Sequence, residues 1–313
     1  MQDRQLSVLI CTHDRPAALA RCLESVQRQT HKPDEIVVVH NGPGPASLPS
    51  AMTCISPTRL VWQAELGLSR ARNAVWPILR GEWVALLDDD AIAAPGWLAA
   101  TANRFADDEV GCITGPVTPW DESDAWQRKQ SQVSWARYPE TELRFTPDNF
   151  DPLRSRPGAG TNLVVRHAAL PPGGWPEFLG PGTPAWAADE HYVFFDLIRR
   201  GWHIVYEPRA VVAHDYPTGR PAWHRRMFRA SASRSAYLAQ LLLLERDQSW
   251  RTLRGILAAG ARGRAGAPEI PRCLRALALL YGPLALARAR HRARPGREPP
   301  PAPVLVDERS PRS

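Results

Sequence analysis

The run Gly81-Glu82-Trp83-Val84-Ala85-Leu86-Leu87 ends in three consecutive carboxylates, Asp88-Asp89-Asp90, followed by Ala91-Ile92-Ala93-Ala94-Pro95. An unbroken apolar stretch of this length behind a glycine reads as a buried strand, and the carboxylates as its acidic end. Side chains alternate along an extended chain, so Asp88 and Asp90 are expected on one side and Asp89 on the other. Two carboxylates on one face repel unless a cation lies between them. Mg²⁺ or Mn²⁺ typically takes one or two carboxylates together with the oxygens of a diphosphate. In open α/β sheets, ligands gather at the carboxyl ends of strands, where this cluster falls. The competing use is a solvated acidic turn in which Asp90 caps the segment before Pro95.

The flanking sequence supplies a parallel-sheet frame. Leu6 to Cys11 is a first buried strand, broken by Thr12-His13-Asp14-Arg15-Pro16, and Pro16 suits the first turn of a helix whose inner face holds Leu19, Cys22, Leu23 and Val26. Glu35 to His40 is a second strand and Arg59 to Trp62 a third. Strand, helix, strand is the rhythm of parallel pairing. Gly67-Leu68-Ser69 then opens a helix carrying Arg70, Arg72 and Asn73, and a basic helix N-terminus suits a diphosphate. Arginines on a solvated face are the plainer alternative.

In order and spacing, Ser7 to Pro16, Gly67-Leu68-Ser69-Arg70-Ala71-Arg72-Asn73, and Leu87-Asp88-Asp89-Asp90 with Pro95-Gly96-Trp97-Leu98 resemble the family-2 glycosyltransferases. The resemblance implies a GT-A fold, a Rossmann-like, mostly parallel mixed sheet between helices, here with a C-terminal helical extension. It implies a nucleotide-diphospho-sugar donor over the first strands, with Thr12 and Asp14 beside the base and Arg72 near the diphosphate, Asn73 joining the donor set. Asp88 and Asp90 become the DxD pair, with Asp90 the direct ligand of Mg²⁺ or Mn²⁺ and Asp88 facing the ribose or metal waters. Where such enzymes usually have an acidic residue touching the base, this chain has His40, which leaves the nucleotide open.

The same resemblance extends downstream. Gly158-Ala159-Gly160-Thr161-Asn162 is similar to the Gly-x-Asn segment that lines the donor sugar, which brings Asn162 into the donor set. The pair Asp189-Glu190 precedes the glycine that closes its helix, Gly201, by the family's count. Carried over by position, Glu190 is the general base and Asp189 its acidic neighbour; one residue out of register, Asp189 does the work. Either carboxylate can take a proton from a hydroxyl. His214, after the strand Ala210 to His214 that is expected to complete the sheet edge, is a third metal-site candidate. The implied reaction is inverting transfer to a hydroxyl of a glycan, lipid-linked or small-molecule acceptor.

The division expected is a donor half over residues 1–108, an acceptor half over 109–218, a basic and amphipathic helical extension over 219–290, and a disordered tail over 291–313. Residues 120–151 read as a long irregular connection, rich in Pro, Trp and charge. Net charge is +7, and Arg288, Arg290, Arg292, Arg294 and Arg297 follow the apolar run Ala276 to Ala287. That run falls short of the roughly 20 residues that span a bilayer, so a peripheral contact with the inner membrane face is expected. The polar opening lacks a secretory plan, and five cysteines without metal spacing suit a reducing, cytoplasmic setting. No nucleic-acid motif accompanies the arginines. The rivals are a catalytically impaired nucleotide-sugar-binding relative and a nucleotidyltransferase, which would want a glycine-rich loop where Thr12 to Pro16 has none.

Overall fold

A computed structural model describes residues 5–44, 58–133, 139–171, 173–243, 245, 281–290 and 304–306. Its centre is β1 (Leu6–Thr12), paired in parallel with β2 (Glu35–Asn41) on one side and β4 (Trp83–Asp88) on the other. β3 (Thr58–Gln63) extends the sheet beyond β2. The chain thus moves outward from β1 through β2 and β3 and returns to the far side of β1 with β4. This reversal opens a crevice at the carboxyl ends of β1 and β4, where Cys11 is level with Asp88.

Alternation sets the two faces. Leu6, Val8 and Ile10 of β1 and Trp83, Ala85 and Leu87 of β4 enter one core layer, together with α1 (Pro16–Gln27) and α3 (Trp97–Ala102). Leu9, Val84 and Leu86 enter the opposite layer, beneath α2 (Leu68–Val75) and α5 (Asp189–Arg199). Both layers exclude water, so the strands are mostly apolar, and the buried polar residues Ser7 and Glu35 at their start are hydrogen-bonded to each other. Trp83 and Trp97 are fully buried; truncating such a side chain to alanine typically costs about 3–5 kcal/mol.

Beyond β4 the sheet turns mixed. β9 (Asn162–Arg166) runs antiparallel to both β4 and β6 (Val110–Thr114), followed by β10 (His203–Tyr206) and β8 (Leu143–Phe145). A second sheet of three short strands, β5 (Ala91–Ala93), β11 (Val212–His214) and β7 (Val117–Pro119), sits over the site. Behind it runs α6 (Arg220–Leu243), and residues 281–290 form a helix against α6. Among the described residues no helix is long and apolar enough to cross a membrane.

Three expectations are corrected. The connection over 120–151 contains α4 (Ala125–Val133) and β8, because Asp124 accepts hydrogen bonds from the backbone N–H groups of Trp126 and Gln127 and so starts a helix. β11 belongs to the small sheet rather than to the main sheet's edge, and that places His214 opposite Ala91, next to the carboxylates. Val304–Val306 (β12), expected within the disordered tail, pairs antiparallel with β3, whose outer edge is otherwise unpaired among the described strands. The remainder of 291–313, and residues 244 and 246–280 of the helical extension expected over 219–290, lie outside the described residues.

Candidate active site

Alternation carries past the end of β4. Asp89 turns toward α1, where its carboxylate accepts from the Thr12 hydroxyl at 2.7 Å and pairs with Arg15 at 3.2 Å. Asp88 and Asp90 turn the other way and meet His214. Its Nε2 lies 3.2 Å from Asp90 and 3.9 Å from Asp88, and one ligand atom from each residue falls within 4.8 Å of the others. Arg15 Nη1 also reaches Asp90 at 2.6 Å from the solvent side.

The charges in this group act on one another. Burial, then the neighbouring Asp90, pushes the Asp88 carboxyl up, while His214 and Arg72 hold it back. Burial opposes ionisation of Asp90 as well, but the hydrogen bond and charge of His214, with Arg15, outweigh it and leave Asp90 below the usual carboxylate range. These residues line a cavity of about 470 Å³, together with Thr12, Asn41, Gly67 and the Pro181-Gly182 turn. Its size falls within the range of small-ligand sites.

Several other predicted donor residues work behind the cavity wall. His40 is buried, and that burial pushes its imidazole down. Asn73 is engaged by the Trp175 backbone on both its oxygen and its nitrogen, and by Glu177. Asn162 is spent entirely on the fold: it donates to the carbonyls of Pro116 and Ala210 and accepts from the Trp97 indole. Asp14 stands in the β1–α1 loop with φ 53° and its side chain exposed. Arg72 does not line the cavity; it is 2% exposed, stacked 4.4 Å over Trp175, and paired with Asp189 at 3.0 Å. Asn41, by contrast, joins β2 to the Gly67 turn by donating to Gln63 and Glu65 and accepting from the Gly67 N–H.

The acidic pair divides at the start of α5. Asp189 is sealed in, 3% exposed, beneath Gly180 (φ +89°), where a Cβ would stand 2.9 Å from the carboxylate. Burial first, then the charge of Glu190, raises Asp189 to about 7 in spite of Arg72. Glu190 retains access to solvent. Burial opposes its ionisation too, yet His191, with Nδ1 3.3 Å away, brings it below the usual range. It packs against Gly160, and the next residue, Thr161, helps to hold Asp88 down. One turn of chain therefore touches both the carboxylate cluster and Glu190.

The turn entering α5 is held in an unusual backbone. Trp186 and Ala188 both have positive φ, 63° and 75°. Each such non-glycine residue costs on the order of 1–2 kcal/mol. Distant elements maintain it: the Trp186 ring stacks on Tyr281 at 4.8 Å, and Ser233 of α6 donates to the Ala185 carbonyl. Arg15, Thr161, Trp186 and Ser233 had no assigned role in the sequence, because their partners lie tens of residues away and no local pattern marks them.

The strand order, with a switch-point crevice lined by Asp88, Asp90 and His214, is that of a GT-A fold. The family model for glycosyl transferase family 2 matches residues 7–167, just over half of the chain, and the chain belongs to that family. It is 38% identical over 95 residues to the amylovoran biosynthesis glycosyltransferase AmsE of Erwinia amylovora, covering 28% of this chain and 36% of the relative. It is 28% identical over 121 residues to the glucosyl-dolichyl phosphate glucuronosyltransferase of Haloferax volcanii, 37% of this chain and 39% of the relative. The matched stretch spans 41% of an uncharacterized Mycobacterium tuberculosis protein and 38% of a Bacillus subtilis glycosyltransferase, well under two thirds of either. The fold is similar to that of mannosyltransferase PcManGT from Pyrobaculum calidifontis, solved with GDP-Man and Mn²⁺, at TM-score 0.55, 20% identity and coverage of 94% of this chain and 88% of that one. It is also similar to Staphylococcus aureus TarS 1–349 solved with UDP, at TM-score 0.54, 16% identity and coverage of 82% and 71%.

Proposed function

We propose that the chain is a metal-dependent, inverting glycosyltransferase that moves a sugar from a nucleoside-diphosphate donor to an acceptor hydroxyl. The observation that carries the reading is the convergence of Asp88, Asp90 and His214 at the crevice. Two carboxylate oxygens and an imidazole suit Mn²⁺, and Mg²⁺ through the carboxylates. The bound ion would neutralise charge on the departing diphosphate. Thr12 and Arg15 fix Asp89, which orients the loop that carries Asp90.

Across the crevice, Glu190 is the base. Strength alone favours Asp189, whose carboxyl at about 7 suits a base near neutral pH. Access favours Glu190, because Asp189 is enclosed with Arg72 while the Glu190 side chain keeps 16% of its surface exposed. Glu190 takes the proton of the attacking hydroxyl, and attack on the face opposite the leaving group inverts the anomeric carbon. Asp189 and Arg72 hold Glu190 in register. Residues 1–108 then serve the donor and 109–218 the acceptor, with Thr12 and Asp14 near the base and contact with the inner membrane face made through the basic segment that follows α6.

A thermal-shift screen against UDP-, GDP-, dTDP- and CMP-sugars, with Mn²⁺, Mg²⁺ or EDTA, tests the donor site. At a hundred times its dissociation constant a donor adds about 2.7 kcal/mol of stability. The expected result is a metal-dependent rise with one nucleotide class, lost in Asp90→Asn. A native protein that answers to no donor overturns the reading in favour of an impaired relative.

A further inference from the structure

Residues 120–127, part of the connection that reads as irregular in the sequence, grasp the backbone that carries His214. The peptide joining His214 to Asp215 is pinned at both ends: its carbonyl accepts from the Trp120 N–H at 2.9 Å, and its N–H donates to the Asp90 carbonyl at 3.0 Å. One peptide thus ties this segment to the two residues whose side chains meet at Nε2 and Oδ1, 3.2 Å apart. The Asp215 side chain supplies a second hold. Its Oδ1 accepts from the Gln127 Nε2 at 3.1 Å, and the Gln127 Oε1 accepts from the Asp121 N–H at 3.0 Å. These partners leave the amide one orientation, since turning it over would set oxygen against carboxylate and N–H against N–H.

Local structure alone would use Gln127 differently. Asp124-Ala125-Trp126-Gln127 has the spacing of a capping box, in which the glutamine turns back to the N–H of the cap residue. Asp124 does cap α4, but its own N–H is given to the Asp121 carbonyl at 3.3 Å. Gln127 is 6% exposed, and its amide is spent on Asp215, 88 positions away.

A metal-ligating histidine is usually oriented through its second ring nitrogen, by a carboxylate or a carbonyl. Nδ1 of His214 is buried and, among the described residues, has no hydrogen-bond partner. The Tyr216 ring packs on the imidazole with centroids 4.6 Å apart, a contact without a polar anchor. Orientation of His214 therefore falls to the backbone around it, and Gln127 holds that backbone through Asp215.

We propose that Gln127 is a positioning residue for the cation site: through Asp215 it keeps His214 in line with Asp90, and so sets how well the site takes Mn²⁺. The inference rests on the cation reading above. Mg²⁺ is satisfied by oxygen ligands while Mn²⁺ also takes imidazole, so a misplaced His214 weakens Mn²⁺ and spares Mg²⁺. A residue that served only the stability of α4 would affect both ions alike.

Paramagnetic-resonance titration of the full chain with Mn²⁺, with Mg²⁺ as competitor, tests it. Gln127→Met, unbranched and uncharged, should weaken Mn²⁺ about tenfold or more and leave Mg²⁺ within about threefold. Gln127→Glu controls for folding, because an acid at this position supports the start of a helix. Its added charge would by itself attract a cation, so a loss of Mn²⁺ affinity there, which we expect, comes from the clasp broken against Asp215. Asp215→Asn keeps an accepting oxygen and should stay within about threefold of native, while Asp215→Ala should match Gln127→Met. Native-like Mn²⁺ affinity in Gln127→Met, native-like or tighter binding in Gln127→Glu, equal losses for the two ions, or Asp215→Asn as weak as Asp215→Ala overturns the proposal. A native protein that binds no Mn²⁺ sinks the cation reading itself, whereas native binding with unaltered variants sinks only the role of Gln127.

Discussion

The crevice over β1 and β4 and the wall around Glu190 are built by different means. In the first, a reversal of strand order brings Thr12, at the end of β1, to Asp89, just past the end of β4 and 77 positions on, while strand alternation sets Asp88 and Asp90 on the other side. In the second, a short turn with two left-handed residues is held by α6 and by the helix over 281–290, from 48 residues away and more. The first site is a consequence of sheet topology. The second depends on distant packing, so its geometry is open to change without disturbing the sheet.

The sharpest test of that division is Glu190→Gln. It should lower kcat by roughly 10²–10⁴-fold while donor binding measured by calorimetry stays native. If donor binding fell in parallel, the two regions would not be separable.

Next in size is Asp189→Ala, which leaves Arg72 buried without its carboxylate. We expect a loss of about 3–5 kcal/mol in urea unfolding, with much of it recovered in the double variant Arg72→Met with Asp189→Leu. A loss below 1 kcal/mol would mean that the pair does not tie α2 to α5.

Ala188→Gly probes the strained turn more gently. Removing the Cβ at φ 75° relieves on the order of 1 kcal/mol of strain, so thermal stability should hold or rise slightly. Activity should fall, since the turn loses its fixed entry into α5. Unchanged activity would show that the strain does not serve Glu190.

The smallest effect is expected at the buried end of β2. Burial keeps the His40 imidazole below its ordinary value, so the unfolded chain takes up this proton first as pH falls through about 6.5. His40 therefore costs stability on the acid side and nothing above it. His40→Gln should narrow the difference in Tm between pH 7.5 and 5.5; an unchanged difference would place the imidazole in contact with solvent.

How far each region could be read in advance follows the same division. Asp88 and Asp90 could be placed on one side and Asp89 on the other because a two-residue period is a local property of extended chain. The helix of α4 was missed although Asp124 signals it, since an irregular, Pro- and Trp-rich neighbourhood masks a nine-residue helix. Asn73 and Asn162 were assigned to the donor by motif, yet their amides are consumed by Trp175, Pro116, Ala210 and Trp97. A motif states which residue stands at a position, and it does not state whether a remote carbonyl already holds that residue's hydrogen bonds.

The sequence by itself determined the parallel core of β1, β2 and β4, the acidic end of β4, and the family, because each rests on short-range pattern: apolar runs, periodicity and the order of motifs. Only the tertiary structure decided that His214 stands beside Asp90, that Arg72 is closed onto Asp189, and that Gln127 holds Asp215. These contacts join residues from 88 to 124 positions apart. Their energies are set by burial and by which partner arrives first in space, quantities that belong to the packed chain and have no counterpart along it.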